Sequence, residues 1–172
     1  AGDYLFVSCF KLMADYASSM RSLQLNSRSM EKILTGELGQ MTDHYNLALT
    51  VNEYLENISG KTAELFALSC SIGAYESGSS QRFSKKASEI GQEIGLAFQI
   101  KDDILDYTQT SDTIGKPVLE DVRQGVYSLP LIYALENDRD ELTSILEKKN
   151  QMTEADTKQV LSLVHELGGV SR

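Results

Sequence analysis

The chain has 172 residues, a formal net charge of −9 and a sequence pI near 4.7, which argues against nucleic acid as a partner, because a phosphate backbone is bound by a basic footprint. Hydrophobic residues make up 41% and charged residues 24%, so the chain reads as globular, and no apolar run approaches the roughly 18 to 20 residues that would make a transmembrane segment. A chain of this length fits one domain, 1–172, able to bury on the order of 70% of its unfolded surface.

Read in chain order, the sequence is helix after helix, and its two prolines leave little room for anything else. The first helix is expected from Asp3 to about Arg21, with Leu5, Phe6, Cys9, Phe10, Met13 and Ala17 on one face. The second runs from Ser27 to Met41, with Met30, Ile33, Leu34, Leu38 and Met41 at helical spacing. Thr50 and Glu53 form a T-x-x-E capping box that opens a third helix, reaching about Tyr75 before the turn ESGSS. The fourth spans about Arg82 to Tyr107, and a polar loop with Gly115 and Pro117 follows it. Pro130 suits the first turn of a short helix through Leu135. Asp140 to Lys148 and Thr153 to Leu167 complete the set, the last capped by Thr153 and Asp156 and stopped at Gly168 and Gly169. The two cysteines, Cys9 and Cys70, lack metal-ligand spacing, so buried free thiols in a reducing, cytoplasmic setting are expected rather than a disulfide. No signal-peptide pattern is visible, and the opening at Ala1 without methionine leaves room for a preceding segment.

The fourth helix ends in an unusual way. GLAFQIKDDILDY, residues 95–107, carries Asp102, Asp103 and Asp106 at the end of an apolar run. Asp102 and Asp106 lie one turn apart and Asp103 sits between them, so the three carboxylates can converge on one patch. Their mutual repulsion is relieved if a cation sits there, and hard Mg²⁺ shared with substrate phosphate oxygens suits carboxylates. An acidic helix end left in solvent is the other reading. Ile94, Phe98 and Leu105 make the Asp102 face otherwise apolar, so Asp102 is expected to look into the interior or a cavity. Gln99, one turn earlier, is placed to hydrogen-bond a carboxylate or a ligand. Gly91 and Gly95 let another helix approach closely.

Lys61 falls on a stripe with Tyr54, Ile58, Leu65 and Leu68, a costly place for an unpaired ammonium. It either reaches solvent or a structural carboxylate, or, with Thr62 beside it, meets the far end of a polyanionic ligand held by the aspartates. Lys116, in IGKP, is a solvated loop lysine unless the loop folds back over the aspartates, and Asp121 reads as a helix-start residue rather than a ligand.

Taken together, KTAELF at 61–66, GLAFQIKDDILDY at 95–107, GKPVLEDVRQG at 115–125 and SLPLIYAL at 128–135 resemble the ordered motifs of the trans-isoprenyl diphosphate synthases, the head-to-tail polyprenyl synthases. GDYLF at 2–6 and GELGQ at 36–40 are similar to further blocks in the same order. The resemblance implies an all-α, isoprenoid-synthase-like antiparallel helical bundle around a central cavity. It implies that Asp102, Asp103 and Asp106 hold Mg²⁺ as the second aspartate-rich motif. By the same resemblance Lys61 and Lys116 bind diphosphate, Thr62 helps stabilise a developing cation, and Gln99 sits near the reacting carbon. The implied reaction is condensation of isopentenyl diphosphate with an allylic diphosphate to give a polyprenyl diphosphate, in a homodimer or with a heteromeric synthase partner.

No second DDxxD occurs, so these residues correspond to the C-terminal portion of such a domain, with its N-terminal helices absent. Val126 stands where many members carry lysine and Ser128 where threonine is common, and the chain stops at Gly-Gly-Val where the family usually adds a helical segment. The sequence reading is a longer-chain bacterial-type polyprenyl diphosphate synthase. The alternatives are a class I terpene cyclase, against which DDILD argues, and a non-catalytic helical partner subunit.

Overall fold

In the computed structural model, residues 2–108 and 119–172 are described, and they contain helices and turns with no strand. The order is α1 (Gly2–Tyr16), α2 (Met20–Thr42), α3 (Val51–Ile58), a π-helical turn (Ser59–Ala63), α4 (Glu64–Glu76), α5 (Gln81–Thr108), α6 (Glu120–Arg123), α7 (Leu129–Asn137), α8 (Asp140–Leu146), a 3₁₀ turn (Lys149–Gln151) and α9 (Glu154–Glu166). The all-α expectation holds. Lys116, with Gly115 and Pro117, lies outside the described residues. None of the described helices is long and apolar enough to cross a membrane.

The first two helices divide earlier than their apolar spacing suggests. Ser19 is extended and its side chain accepts the backbone N–H of Ser22, so α2 starts at Met20 rather than Ser27 and α1 stops at Tyr16 rather than Arg21. An N-cap serine satisfies an otherwise orphan N–H, and no Gly or Pro between Met20 and Ser27 interrupts the helix thus begun. The α1 face expected to be apolar is indeed apolar, but Leu5, Phe6 and Phe10 on it are exposed. Cys9 and Cys70 are free thiols, half-buried rather than buried.

The third expected helix is two helices fused through the π turn. Thr50 and Glu53 make the capping box: the Thr50 N–H donates to Glu53 Oε2 at 2.8 Å, and the Glu53 N–H donates to Thr50 Oγ1 at 3.3 Å. One extra residue in a turn rotates everything beyond it by about 100° relative to an unbroken α-helix. The buried positions therefore step from Tyr54 and Ile58 to Ala63 and Ala67, while Leu65, expected on the stripe, is 50% exposed.

Glycines set the separations of the helices around this turn. A Cβ on Gly91 would lie 2.6 Å from Phe66 O, and one on Gly95 would lie 2.5 Å from Ala63 Cα, so α5 packs directly on the backbone of α4 and the π turn. On the other side, a Cβ on Gly36 of α2 would lie 2.9 Å from Lys61 N. Ser29 donates to Glu64 Oε1 at 2.5 Å and Lys32 to Glu64 Oε2 at 3.1 Å, pinning α2 to α4.

The largest core lies where the end of α5 meets α6 to α9, with Leu131, Leu142, Leu146, Val160 and Val164 almost wholly enclosed. A second, smaller cluster of Tyr54, Ile58 and Ile132 seats α3 and α7 against Leu96 and Ile100 of α5. These two clusters anchor the C-terminal half of α5, the part that carries the aspartates.

At α9, Thr153 and Asp156 form a second capping box, and Lys148 donates to Asp156 Oδ1 at 2.5 Å. The Lys148 hydrogen bond first, then those from Thr153, hold the Asp156 carboxyl down at about 2. A carboxylate whose folded pKa is depressed stabilises the fold above its unfolded pKa, and that stabilisation is lost as pH falls through the folded value. Acid unfolding followed by circular dichroism should therefore lose this contribution between about pH 4 and pH 2, the interval between the ordinary aspartate value and about 2. Lys148→Met is expected to flatten the slope in that interval; an unchanged slope would remove Lys148 as its main cause.

Candidate active site

A cavity of about 410 Å³ opens between the C-terminal end of α2, the α3 and π segment, the end of α5, and the residues from α6 to the start of α7. Lys61, Thr62, Gln99, Asp103 and Asp106 all line it, together with Asp121 and Ser128. Residues distant in sequence are thus brought to one concave surface by the packing of α5 against the π turn. A π turn inside a helix often marks a functional site, because it offsets side chains that a regular helix would stack.

One hydrogen-bonded chain organises the floor. Thr62 Oγ1 donates to Gln99 Oε1 at 2.8 Å, and Gln99 Nε2 donates to Asp103 Oδ1 at 2.8 Å. Tyr54 Oη donates to the other Asp103 oxygen at 2.6 Å. Burial pushes the Asp103 carboxyl above its ordinary value, against the opposing pull of the Tyr54 and Gln99 hydrogen bonds, and Asp102 and Asp106 push it further up. Burial also raises the Tyr54 phenol, with Asp103 adding to the shift.

Two side chains stand differently from their expected places. Asp102 is exposed and does not line the cavity, and its neighbours on that face, Ile94 and Phe98, are 50% and 55% exposed. The apolar face exists, but no described residue encloses it, so Asp102 does not look inward. Lys61 is also exposed rather than embedded in a stripe: its Nζ donates to Gln40 Oε1 at 2.6 Å and pairs with Glu37 Oε2 at 3.2 Å. The π turn rotates it off the Tyr54–Ile58 face and toward α2, at the cavity rim.

Among the described residues, no group of three or more His, Cys, Asp or Glu side chains is close enough to hold a metal ion. Asp103 and Asp106 present two carboxylates to the cavity. That donor set fits Mg²⁺, which is commonly held by one or two carboxylates together with substrate phosphates rather than by an all-protein cage.

Sequence reasoning passed over Tyr54, Gln40 and Asn57. Tyr54 counts as apolar at helical spacing, yet a buried tyrosine hydroxyl needs a partner, and that requirement is the signal for it. Gln40, which meets Lys61, and Asn57, which donates to Asp43 Oδ2 at 2.8 Å, carry no local signal, since their partners are set by helix packing.

The family model described as polyprenyl synthetase matches residues 1–164. Heptaprenyl diphosphate synthase component 2 of Geobacillus stearothermophilus is 38% identical over 138 residues, covering 80% of this chain and 43% of that protein. The crystal structure of geranylgeranyl pyrophosphate synthase from Lactobacillus brevis superposes with a TM-score of 0.91 at 42% identity, over 99% of this chain and 54% of that one. A polyprenyl synthase from Caulobacter crescentus, solved in complex with calcium and isoprenyl diphosphate, gives a TM-score of 0.90 at 35% identity, over 99% and 52%. The chain spans about half the length of these relatives.

Proposed function

Since this chain belongs to the polyprenyl synthetase family, we propose that it forms the diphosphate-handling side of a prenyltransferase that joins isopentenyl diphosphate to an allylic diphosphate. The observation that carries the reading is the convergence of Lys61, Thr62, Gln99, Asp103 and Asp106 on one cavity. Asp103 and Asp106 would hold a divalent cation, Mg²⁺ in our reading, which would neutralise charge on the allylic diphosphate, and Asp102 is assigned to the same cation from outside the cavity lining. Lys61, freed from Glu37 and Gln40 by a stronger anion, meets the diphosphate from the rim, and Lys116 is assigned the same role. Thr62 and Gln99 turn oxygen lone pairs toward the developing positive charge in this reading, and their mutual hydrogen bond fixes where those atoms sit. Water would capture the cationic carbon, so the reaction calls for helices that enclose it, and the described residues leave the face of the exposed Ile94 and Phe98 open.

The exposed apolar side chains of α1 support an oligomeric reading, in which a second copy or a heteromeric partner covers that helix. The Geobacillus relative is itself named as a component of a synthase, which favours the heteromeric arm. The free cysteines agree with a reducing, cytoplasmic setting.

Calorimetry with MgCl₂ and inorganic pyrophosphate on the complete protein, comparing wild type with Asp102→Ala and Asp106→Ala, tests the metal side. Metal-dependent affinity should fall sharply in both variants, and equal binding by all three proteins would sink the assignment. In a radiolabelled condensation assay, the 172 residues alone are expected to give no extended product, because they carry one aspartate-rich motif where the charge of an allylic diphosphate calls for neutralisation from two sides. Extended product from these residues alone would show that one acidic face suffices.

A further inference from the structure

We propose that Tyr54 is a positioning residue for the acidic side of the cavity: its hydroxyl and the Gln99 amide clamp the Asp103 carboxylate from opposite oxygens, in the orientation from which it takes a divalent cation. The inference rests on the prenyl-transfer reading only for the presence of that cation. The clamp itself is a matter of geometry.

Tyr54 is 4% exposed and held in the small core with Ile58 and Ile132, so its ring has no room to swing and its hydroxyl reaches Asp103 Oδ2 at 2.6 Å from a fixed base. Gln99, one turn before Asp103 on α5, reaches Oδ1 at 2.8 Å. The Gln99 amide is itself fixed, because Thr62 donates to its Oε1 at 2.8 Å, and turning the amide over would set Oε1 against the Asp103 carboxylate, acceptor against acceptor. Three elements thus act on one carboxylate: α3 through Tyr54, the π turn through Thr62, and α5 through Gln99.

An ionised carboxylate has about four acceptor positions, and two donors leave capacity on both oxygens. The clamp therefore restrains Asp103 without occupying it. Hydrogen bonds to a metal-binding carboxylate set its orientation, and removing such a partner typically weakens metal binding by about 10- to 100-fold. Asp102, exposed and outside the cavity lining, has no such restraint from Tyr54 or Gln99 in any hydrogen bond seen here. Asp102 and Asp103, neighbours in the motif, are accordingly unequal, and the orientation of Asp103 is built in before ligand arrives.

A bond that merely ties α3 to α5 would make a different prediction, and Tyr54→Phe separates the two because it keeps the ring and its packing. Mg²⁺ affinity is measured by calorimetry on the complete protein with inorganic pyrophosphate present, for Tyr54→Phe, Asp103→Asn, Asp106→Asn and the Tyr54→Phe/Asp103→Asn double variant, with a melting temperature for each. The expected result is a loss of about 10- to 100-fold in Mg²⁺ affinity for Tyr54→Phe, with no further loss when it is added to Asp103→Asn. Wild-type affinity per folded Tyr54→Phe molecule, whatever its melting temperature, combined with weakened Asp103→Asn, overturns the positioning role and leaves the metal site standing. Independent, additive losses in the double variant also overturn it. Unchanged affinity in the two single aspartate variants would instead remove the prenyl-transfer reading on which the cation depends.

Discussion

Lys61→Met in the complete, active protein is expected to lower kcat by roughly 10²- to 10³-fold while leaving the fold almost untouched. Removal of one well-placed charge contact to a leaving group typically costs about 3 to 4 kcal/mol of transition-state stabilisation. The structural cost is far smaller. Lys61 and its partner Glu37 are both well exposed, and exposed ion pairs contribute about 0 to 1 kcal/mol after screening and side-chain entropy. For a domain of this size that corresponds to no more than about 2 to 4 °C in melting temperature. Steady-state kinetics beside differential scanning calorimetry decide it: a large fall in melting temperature with turnover per folded molecule preserved would make Lys61 a structural residue. Methionine suits the purpose because it keeps most of the side-chain volume and removes only the charge.

Gly95→Val should have a different profile, a loss of stability together with a loss of ligand affinity. Its Cβ would stand 2.5 Å from Ala63 Cα and 3.0 Å from Ala63 Cβ, and backbone on a neighbouring element cannot yield as a flexible side-chain tip can. Relief requires α5 to move away from the π turn. Overpacking of this kind costs about 1 to 3 kcal/mol, a fall of roughly 2 to 12 °C in melting temperature. The same movement would part Thr62 from Gln99, so ligand affinity should fall even in molecules that remain folded. Gly73→Ala is the matched control. Gly73 lies in α4 with nothing near its Cβ position, and alanine there should stabilise by about 0.5 to 1 kcal/mol. Equal melting temperatures for Gly95→Val and wild type would mean that the close packing of α5 on the π turn does not limit stability.

Both outcomes turn on the π turn, which is the point where local reasoning loses its hold on this chain. The helical character of the chain and most helix ends follow from signals that a few neighbouring residues carry: the Thr50–Glu53 and Thr153–Asp156 capping boxes, Pro130 at the start of α7, and Gly168, with φ +74, at the end of α9. These are contacts within one turn, so they are written in consecutive residues. The close approach at Gly91 and Gly95 is likewise visible as small residues one turn apart. The chemical identity of the acidic motif and its flanking Gln99 is also local, and the resemblance that assembles it with Lys61 and Thr62 depends on the order of short blocks.

The tertiary structure decided the rest, because phase and pairing are long-range quantities. Helical arithmetic assumes an unbroken period, and the extra residue in Ser59–Ala63 turns Lys61 off the apolar stripe and onto Gln40 and Glu37 of α2. Whether an apolar face is covered depends on what packs over it, so Ile94, Phe98 and Asp102 lie open although their spacing describes a buried face. The Tyr54–Asp103 bond joins residues 49 apart in sequence, and it follows from α3 and α5 meeting across the small core around Ile58 and Ile132. Periodicity and capping determined that this chain forms helices and where most of them end; which side chains face one another across the cavity was decided only when those helices packed, since that depends on the register of each helix against the others.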